Sequence, residues 1–390
     1  MIIYRTQNKP LHLHHKSNSL KKKVTYIISN INKAIAFEWI AQELNKDKFE
    51  LSFILLNPGS SLLEKELKSL GVKVYTIIYR SKKDMPRAFI KIFSLLMKIR
   101  PAIVHTHLFD ASLIGLPAAY FSGIRKRIYT RHHATYHHNY YPKMIKYDKM
   151  INSFATAIVA ISKNVEEILI EKENVRADKI HLIHHGFKLE EFEIADKNKM
   201  DALRNKYSIK DKSPVIGVIA RYTHWKGIQY IIPAFEKLLS DYPDALLILA
   251  NANGDYKLEI NKLLKTIPPD NFVEINFEED LFQMYHLFDI YVHVPIDNHS
   301  EAFGQTYIEA LAAGTPSVFT LSGIAREFIK DRQNALVVDY KNFDEIYNSI
   351  IELLKNKTLS ESISKNGKED VRKYFGLDKM IAKLEELYAR

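Results

Sequence analysis

Two glutamates, Glu301 and Glu309, flank a Phe303-Gly304 step and an apolar segment in the stretch EAFGQTYIEALAAGTP (301–316). Phe303 to Ala313 carries good helix formers, and Gly314 followed by Pro316 is a stop signal, so a helix is predicted whose start is delivered by the loop 295–302. The amides of Gly304, Gln305 and Thr306, at the positive end of that helix, suit an anion such as a diphosphate, and Gly304 lets it approach closely. If fully helical, Glu301 and Glu309 lie about 12 Å apart, roughly the reach of an extended sugar–diphosphate–ribose, with one carboxylate for each sugar. The same pair also reads as a solvated helix residue and an ordinary acid near a helix start.

A second motif adds cations. ARYTHWKG (220–227) follows the run VIGVIA (215–220), which places Arg221 and Lys226 at the carboxyl end of a predicted strand. Arginine chelates phosphate through a fork of donors and lysine adds a compact charge. Histidines cluster elsewhere: RIYTRHHATYHHN (127–139) sets His132 and His133 just past another strand, and AIVHTHLFDASLIG (102–115) ends a third at His105 and His107. His105 and His107 either line a cleft near an acceptor or cap a loop. His132, His133, His137 and His138 raise a metal site, but zinc needs converging ligand geometry, and no metal is expected.

These residues need a frame. VTYIIS (24–29), LSFILL (51–56), VKVYTII (72–78), AIVHTH (102–107), RIYT (127–130) and AIVAIS (157–162) alternate with helix-length amphipathic segments. After the polar stretch 188–213 the pattern restarts with VIGVIA, ALLILA (245–250), FVEI (272–275), DIYVHV (289–294), SVFT (317–320) and ALVV (335–338). Continuous apolar strands separated by helices imply parallel sheets covered on both faces, here two doubly wound α/β units whose strand ends face a central cleft. The boundaries read as a basic leader over 1–22, a first domain over 23–190 and a second over 191–374. A closing helix, 375–390, returns to the first domain.

The 390 residues include 46% hydrophobic and 26% charged residues, ordinary for a globular protein, and no cysteine, which excludes disulfides and thiolate metal sites. No secretory leader and no apolar run of ~20 residues is seen, so a cytoplasmic protein that does not span a membrane is expected. The net charge of +10 is uneven: residues 1–190 hold 31 Lys+Arg against 15 Asp+Glu. Such a half suits nucleic acid, an anionic membrane or a phosphorylated substrate, or serves only solubility. Nucleic acid is the weakest choice, because no helix-turn-helix, zinc or RNA-recognition motif accompanies the charge.

The set ARYTHWKG, EAFGQTYIEALAAGTP, TLSGIAREFI (320–329) and AIVAISKNVEEILI…VRADKIHLIHHGFKLEEF (157–192) resembles retaining glycosyltransferases of family 4, of bacterial type, which have the GT-B fold. The resemblance implies a nucleotide-diphosphate sugar, UDP favoured, bound to the second domain. Glu309 would hold the ribose, Arg221 and Lys226 the diphosphate, and Glu301 with the amides from Phe303 to Gln305 the transferred hexose; the base would lie near Glu274 to Phe277. The first domain would bring the acceptor and a catalytically important histidine, and the family's Thr-x-His pattern fits Thr130-Arg131-His132. No Asp-x-Asp pair is present to chelate a divalent ion, so metal-independent transfer is expected, with retention through a front-face substitution. Departures are the missing glycine pair in SNINKAIAFEW (29–39), Ser322-Gly323 for Gly-Gly, His185-Gly186 for Asn-Gly, and Ala335 for a glycine. A catalytically silent sugar-nucleotide-binding or scaffold protein, and a sugar-nucleotide isomerase, are the alternatives on this fold.

RAFIKIFSLLMKIRP (87–101) combines Phe89, Ile90, Phe93, Leu96 and Met97 with flanking basic residues, and HNYYPKMIKYDKMINSF (138–154) sets tyrosines among lysines. The first reads either as a membrane-surface helix or as a crossover helix whose apolar face is core. With the basic first half, these stretches predict a lipid-linked or glycan acceptor and docking at the inner face of the cell membrane.

Overall fold

The apolar runs become strands, most of them buried on both faces. A computed structural model describes residues 21–209, 212–278 and 280–390; the expected basic leader lies, up to residue 20, outside the described residues. In the first domain β1 (Lys22–Ser29), β2 (Phe49–Asn57), β3 (Lys73–Ile78), β4 (Ile103–His107), β5 (Lys126–Arg131), β6 (Ala157–Ala160) and β7 (Ile180–Leu182) form one parallel sheet in the order β3-β2-β1-β4-β5-β6-β7. The second holds β8 (Val215–Ile219), β9 (Leu246–Ala250), β10 (Phe272–Ile275), β11 (Ile290–His293), β12 (Ser317–Phe319) and β13 (Leu336–Val337), ordered β10-β9-β8-β11-β12-β13 and also parallel. The architecture is thus α/β with two Rossmann-like doubly wound sheets. In each, the strand order reverses beside the first strand of the domain, which opens a crevice at the carboxyl ends. Strand β7, three residues with the polar His181 at its centre, lacks the apolar run that marks the others.

The helix at the site begins at Gln305, two residues later than the sequence predicts, and runs to Ala313. Gly304 caps it at φ 87°, in the left-handed region, and a Cβ there would meet the Tyr307 ring at 2.6 Å. Gly314 ends it, again left-handed. The helix Leu377–Ala389 packs on the first sheet: Tyr388 and Tyr26 hydroxyls meet at 2.5 Å, Lys22 Nζ donates to the Ala389 carbonyl at 2.6 Å, and the Asn45 amide donates to Glu385 Oε1 at 2.9 Å. In the helix Met85–Ile99 the apolar residues divide. Ala88, Ile92 and Leu96 are buried against the sheet, while Ile90 and Met97 are exposed, so Leu96 does not share a face with them.

Candidate active site

A cavity of about 920 Å³ lies between the two domains, at the carboxyl ends of both sheets. From the second domain, β8 feeds a loop that carries Arg221, exposed at the cavity, and a 3₁₀ turn, His224–Lys226. Gly227 turns the chain away at φ 76°; a Cβ there would stand 1.8 Å from the Val294 carbonyl oxygen, so the turn requires glycine. Lys226 Nζ then reaches Glu301 Oε1 at 2.5 Å, and His293 Nε2, at the end of β11, approaches the same oxygen at 3.1 Å. The Glu301 amide donates to Ser322 Oγ at 3.0 Å. Lys226 and Glu301 therefore form an ion pair, a contact that the spacing of the two motifs did not announce.

The two glutamates live in opposite environments. Burial pushes the Glu301 carboxyl up, but the Lys226 ammonium and His293 together outweigh it and hold it at about 2. Burial pushes Glu309 up to about 7, against the hydrogen bond it accepts from the Tyr285 hydroxyl at 2.6 Å. Both line the cavity, with Phe303, Gly304, Gln305 and Thr306 between them. Phe303 is itself buried among aromatic rings, 6.0 Å from Phe375 and 4.9 Å from His185 between centroids.

The first domain contributes a stack of imidazoles. His107 Nδ1 lies 3.1 Å from His132 Nε2, the His105 and His107 rings are 4.3 Å apart, and His132 stacks on His185 at 5.6 Å. His105 has both nitrogens engaged, with the Tyr388 hydroxyl and with Thr130 Oγ1, each at 2.7 Å, and it is fully buried. It braces the stack. Burial lowers His105 and His132 to about 3 and His185 to about 4, so all three are neutral at physiological pH. A neutral imidazole at His132 can hydrogen-bond a hydroxyl but carries no extra proton to deliver.

His133 turns to a different set of partners. Its Nε2 is 3.3 Å from Asp148 Oδ1, His137 Nδ1 is 2.6 Å from Asp148 Oδ2, and the buried Arg131 reaches Asp148 Oδ1 at 3.0 Å and Glu173 Oε1 at 2.6 Å. His133, His137 and Asp148 converge as metal ligands do. The Arg131 guanidinium already supplies the positive charge at that carboxylate, so a dication there would sit beside a fixed cation.

Several contacts between the domains end on the Glu301 loop. Ser162 accepts from the Val165 amide at 3.2 Å, capping the helix Lys163–Glu171, and donates to the Ala302 carbonyl. Asn164 Nδ2 donates to the Glu301 carbonyl at 2.6 Å, and Thr135 Oγ1 to the His299 carbonyl at 3.3 Å. Sequence reasoning passed over His293, Asn164 and Tyr285. The place of His293 at a strand's carboxyl end was a usable clue; Asn164 and Tyr285 act through contacts that no local pattern announces.

Residues 39–191 match the family model described as Glycosyltransferase Family 4, and residues 199–370 the model described as Glycosyl transferases group 1. The chain is 26% identical over 338 residues to the capsular polysaccharide biosynthesis glycosyltransferase CapM of Staphylococcus aureus, covering 83% of this chain and 87% of that one. It is 22% identical over 391 residues to the UDP-Gal:alpha-D-GlcNAc-diphosphoundecaprenol alpha-1,3-galactosyltransferase of Escherichia coli, covering 96% and 98%. Among solved structures, HepE of Anabaena in complex with UDP-glucose superposes with a TM-score of 0.81 over 94% of this chain and 99% of that one, at 17% identity, which speaks for the fold.

Proposed function

Since the chain belongs to the glycosyltransferases of the family 4 and group 1 type and has their GT-B fold, we propose that it moves a hexose from a UDP-sugar to a lipid-linked or surface-glycan acceptor, with retention and without a metal. The observation that carries this reading is the Lys226–Glu301–His293 group, with Glu301 and His293 buried and Lys226 partly so, beside Arg221 at the start of the Gln305–Ala313 helix, facing His132 across the cleft. The diphosphate would lie against the helix amides, Arg221 and Lys226, which stabilise its charge as it leaves. Glu301 would hold the hexose and Glu309 the ribose. The bond from the sugar's anomeric carbon to the diphosphate breaks while one to the acceptor oxygen forms on the same face, and the hydroxyl proton passes to the departing phosphate. His132, neutral, orients the reacting pair.

UDP is favoured because HepE carries UDP-glucose and the Escherichia coli relative is named for UDP-Gal. That relative's diphosphoundecaprenol acceptor, and the capsular polysaccharide in the name of CapM, support a lipid-linked or glycan acceptor. Among the described residues no helix is long and apolar enough to cross a membrane. Docking from the cytoplasm would instead use exposed Ile90, Met97 and Phe121 beside the basic residues of the first domain, where each Lys or Arg near an anionic surface adds about 1 kcal/mol.

The test is a thermal-shift screen of UDP-, GDP- and ADP-sugars, because a ligand of the native state raises stability in proportion to the logarithm of its concentration over Kd. A clear shift with UDP-sugars supports the reading. No shift with any nucleotide contradicts it.

A further inference from the structure

Three large aromatic side chains at the cleft have no part in the chemistry above. Tyr136 and Tyr140 stand four residues apart on the short helix Tyr136–Tyr140, on one face, and both are directed to the cavity. Trp225 faces them from the other domain, one residue before Lys226. Ring centroids lie 4.9 Å apart for Tyr140 and Trp225, 5.7 Å for Tyr136 and Trp225, and 5.9 Å for the two tyrosines, all tilted or edge-on. Packing does not use up their surface: Tyr136 is 38% and Tyr140 41% exposed. The Trp225 backbone is fixed by the Ile296 amide, which donates to its carbonyl at 3.1 Å.

We propose that Tyr136, Tyr140 and Trp225 form a stacking subsite for a neutral pyranose ring of the acceptor, next to the point of transfer. The inference rests on the glycosyl-transfer reading and names what the acceptor presents. A pyranose offers a C–H face to an aromatic ring and hydroxyls at its rim, and the rim here is polar: Asn139 and Ser300 line the same cavity. Asp255 acts electrostatically on both phenols, Asp297 on that of Tyr140, and the Arg221 guanidinium on that of Tyr136. Carboxylates near these phenols accept from sugar hydroxyls, and the exposed aromatic surface suits the C–H face of a ring. The position agrees with that reading, because Trp225 adjoins in sequence the lysine paired with Glu301, where the reading puts the transferred sugar.

The chain has two tryptophans, Trp39 and Trp225. In a Trp39→Phe background Trp225 is the sole tryptophan, and under selective tryptophan excitation methyl α-glucopyranoside, methyl α-galactopyranoside and N-acetylglucosamine titrated in the presence of UDP report on the subsite directly. A saturable change with at least one of them is expected; should Trp39→Phe destabilise the protein, the difference between wild type and Trp225→Phe reads the same property. In turnover with the responding glycoside as surrogate acceptor, Tyr140→Ala is expected to raise the acceptor KM at least tenfold, Tyr140→Phe to restore it, and neither to alter the thermal shift by UDP. An unresponsive Trp225 together with a retained UDP shift overturns the subsite and leaves the transferase reading standing, whereas loss of the UDP shift in wild type defeats that reading itself. Equal loss of UDP and acceptor affinity in Tyr140→Ala marks the aromatics as a latch between domains, and also overturns the proposal.

Discussion

Asn164 of the first domain donates from its side chain to the backbone carbonyl of Glu301 in the second, at 2.6 Å, and both residues are buried. The loop that places the Glu301 carboxylate is thus held from the opposite domain. Asn164→Ala leaves that carbonyl without its donor, at a cost of about 1–3 kcal/mol. The expected result is a fall in kcat of tenfold or more with the donor KM little changed. Asn164→Asp, which sets a negative charge against the carbonyl oxygen, is expected to be worse than alanine at neutral pH. Unaltered kcat in Asn164→Ala would show that the contact is only structural.

Lys226 and Glu301 are coupled, so their substitutions are not additive. Lys226→Met strands a buried carboxylate and is expected to cost about 3 kcal/mol, while adding Glu301→Gln recovers part of it. Urea unfolding of the four-member cycle measures this. Strict additivity would mean that the pair contributes nothing.

Stability should fall on acidification. His105, His132 and His185 have folded values below the ordinary histidine range, so their contribution is complete above about pH 6.5 and is lost as pH falls toward 4 for His185 and toward 3 for His105 and His132, at up to about 1.4 kcal/mol per unit for each. Glu309 has the opposite sign: raised to about 7, it contributes below about pH 4.5 and loses that contribution as pH rises through 7, at most about 3 kcal/mol. Between pH 7.5 and 5.5 the Tm of wild type should drop, and that of Glu309→Gln should drop further, because the offsetting gain is gone. A flat Tm over this range rules out a buried neutral histidine stack.

Transfer should be insensitive to chelator. Arg221, Lys226 and the helix amides take the diphosphate charge in this account, and Arg131 stands where a dication would enter the His133, His137 and Asp148 group. Full activity in EDTA is the expected outcome, and abolished activity restored by a divalent ion would refute the mechanism.

Much of the frame was legible because buried parallel strands leave long apolar runs, and β1, β4, β8 and β9 were all read from them. The helix after Glu301 was readable for a local reason, the Gly314-Thr315-Pro316 stop. Three residues set its helical start two positions off: Phe303 has the propensity to continue the helix, but it is pulled into the aromatic cluster around Phe375, and Gly304 turns left-handed to allow that. His105, His107 and His132 were found from strand ends, yet their division of labour was hidden. His105 became a brace because Tyr388, 283 residues away, returns on the last helix to bond it. The Lys226–Glu301 pair, 75 residues apart, was likewise invisible to spacing.

The central claim is that a diphosphate binds at the start of the Gln305–Ala313 helix, beside Arg221 and Lys226. A crystal structure with UDP tests it most directly. The account predicts phosphate oxygens within hydrogen-bond distance of the Gly304 to Thr306 amides and of both cations, with the ribose hydroxyls on Glu309. UDP bound elsewhere, or Arg221 and Lys226 both out of its reach, would contradict it.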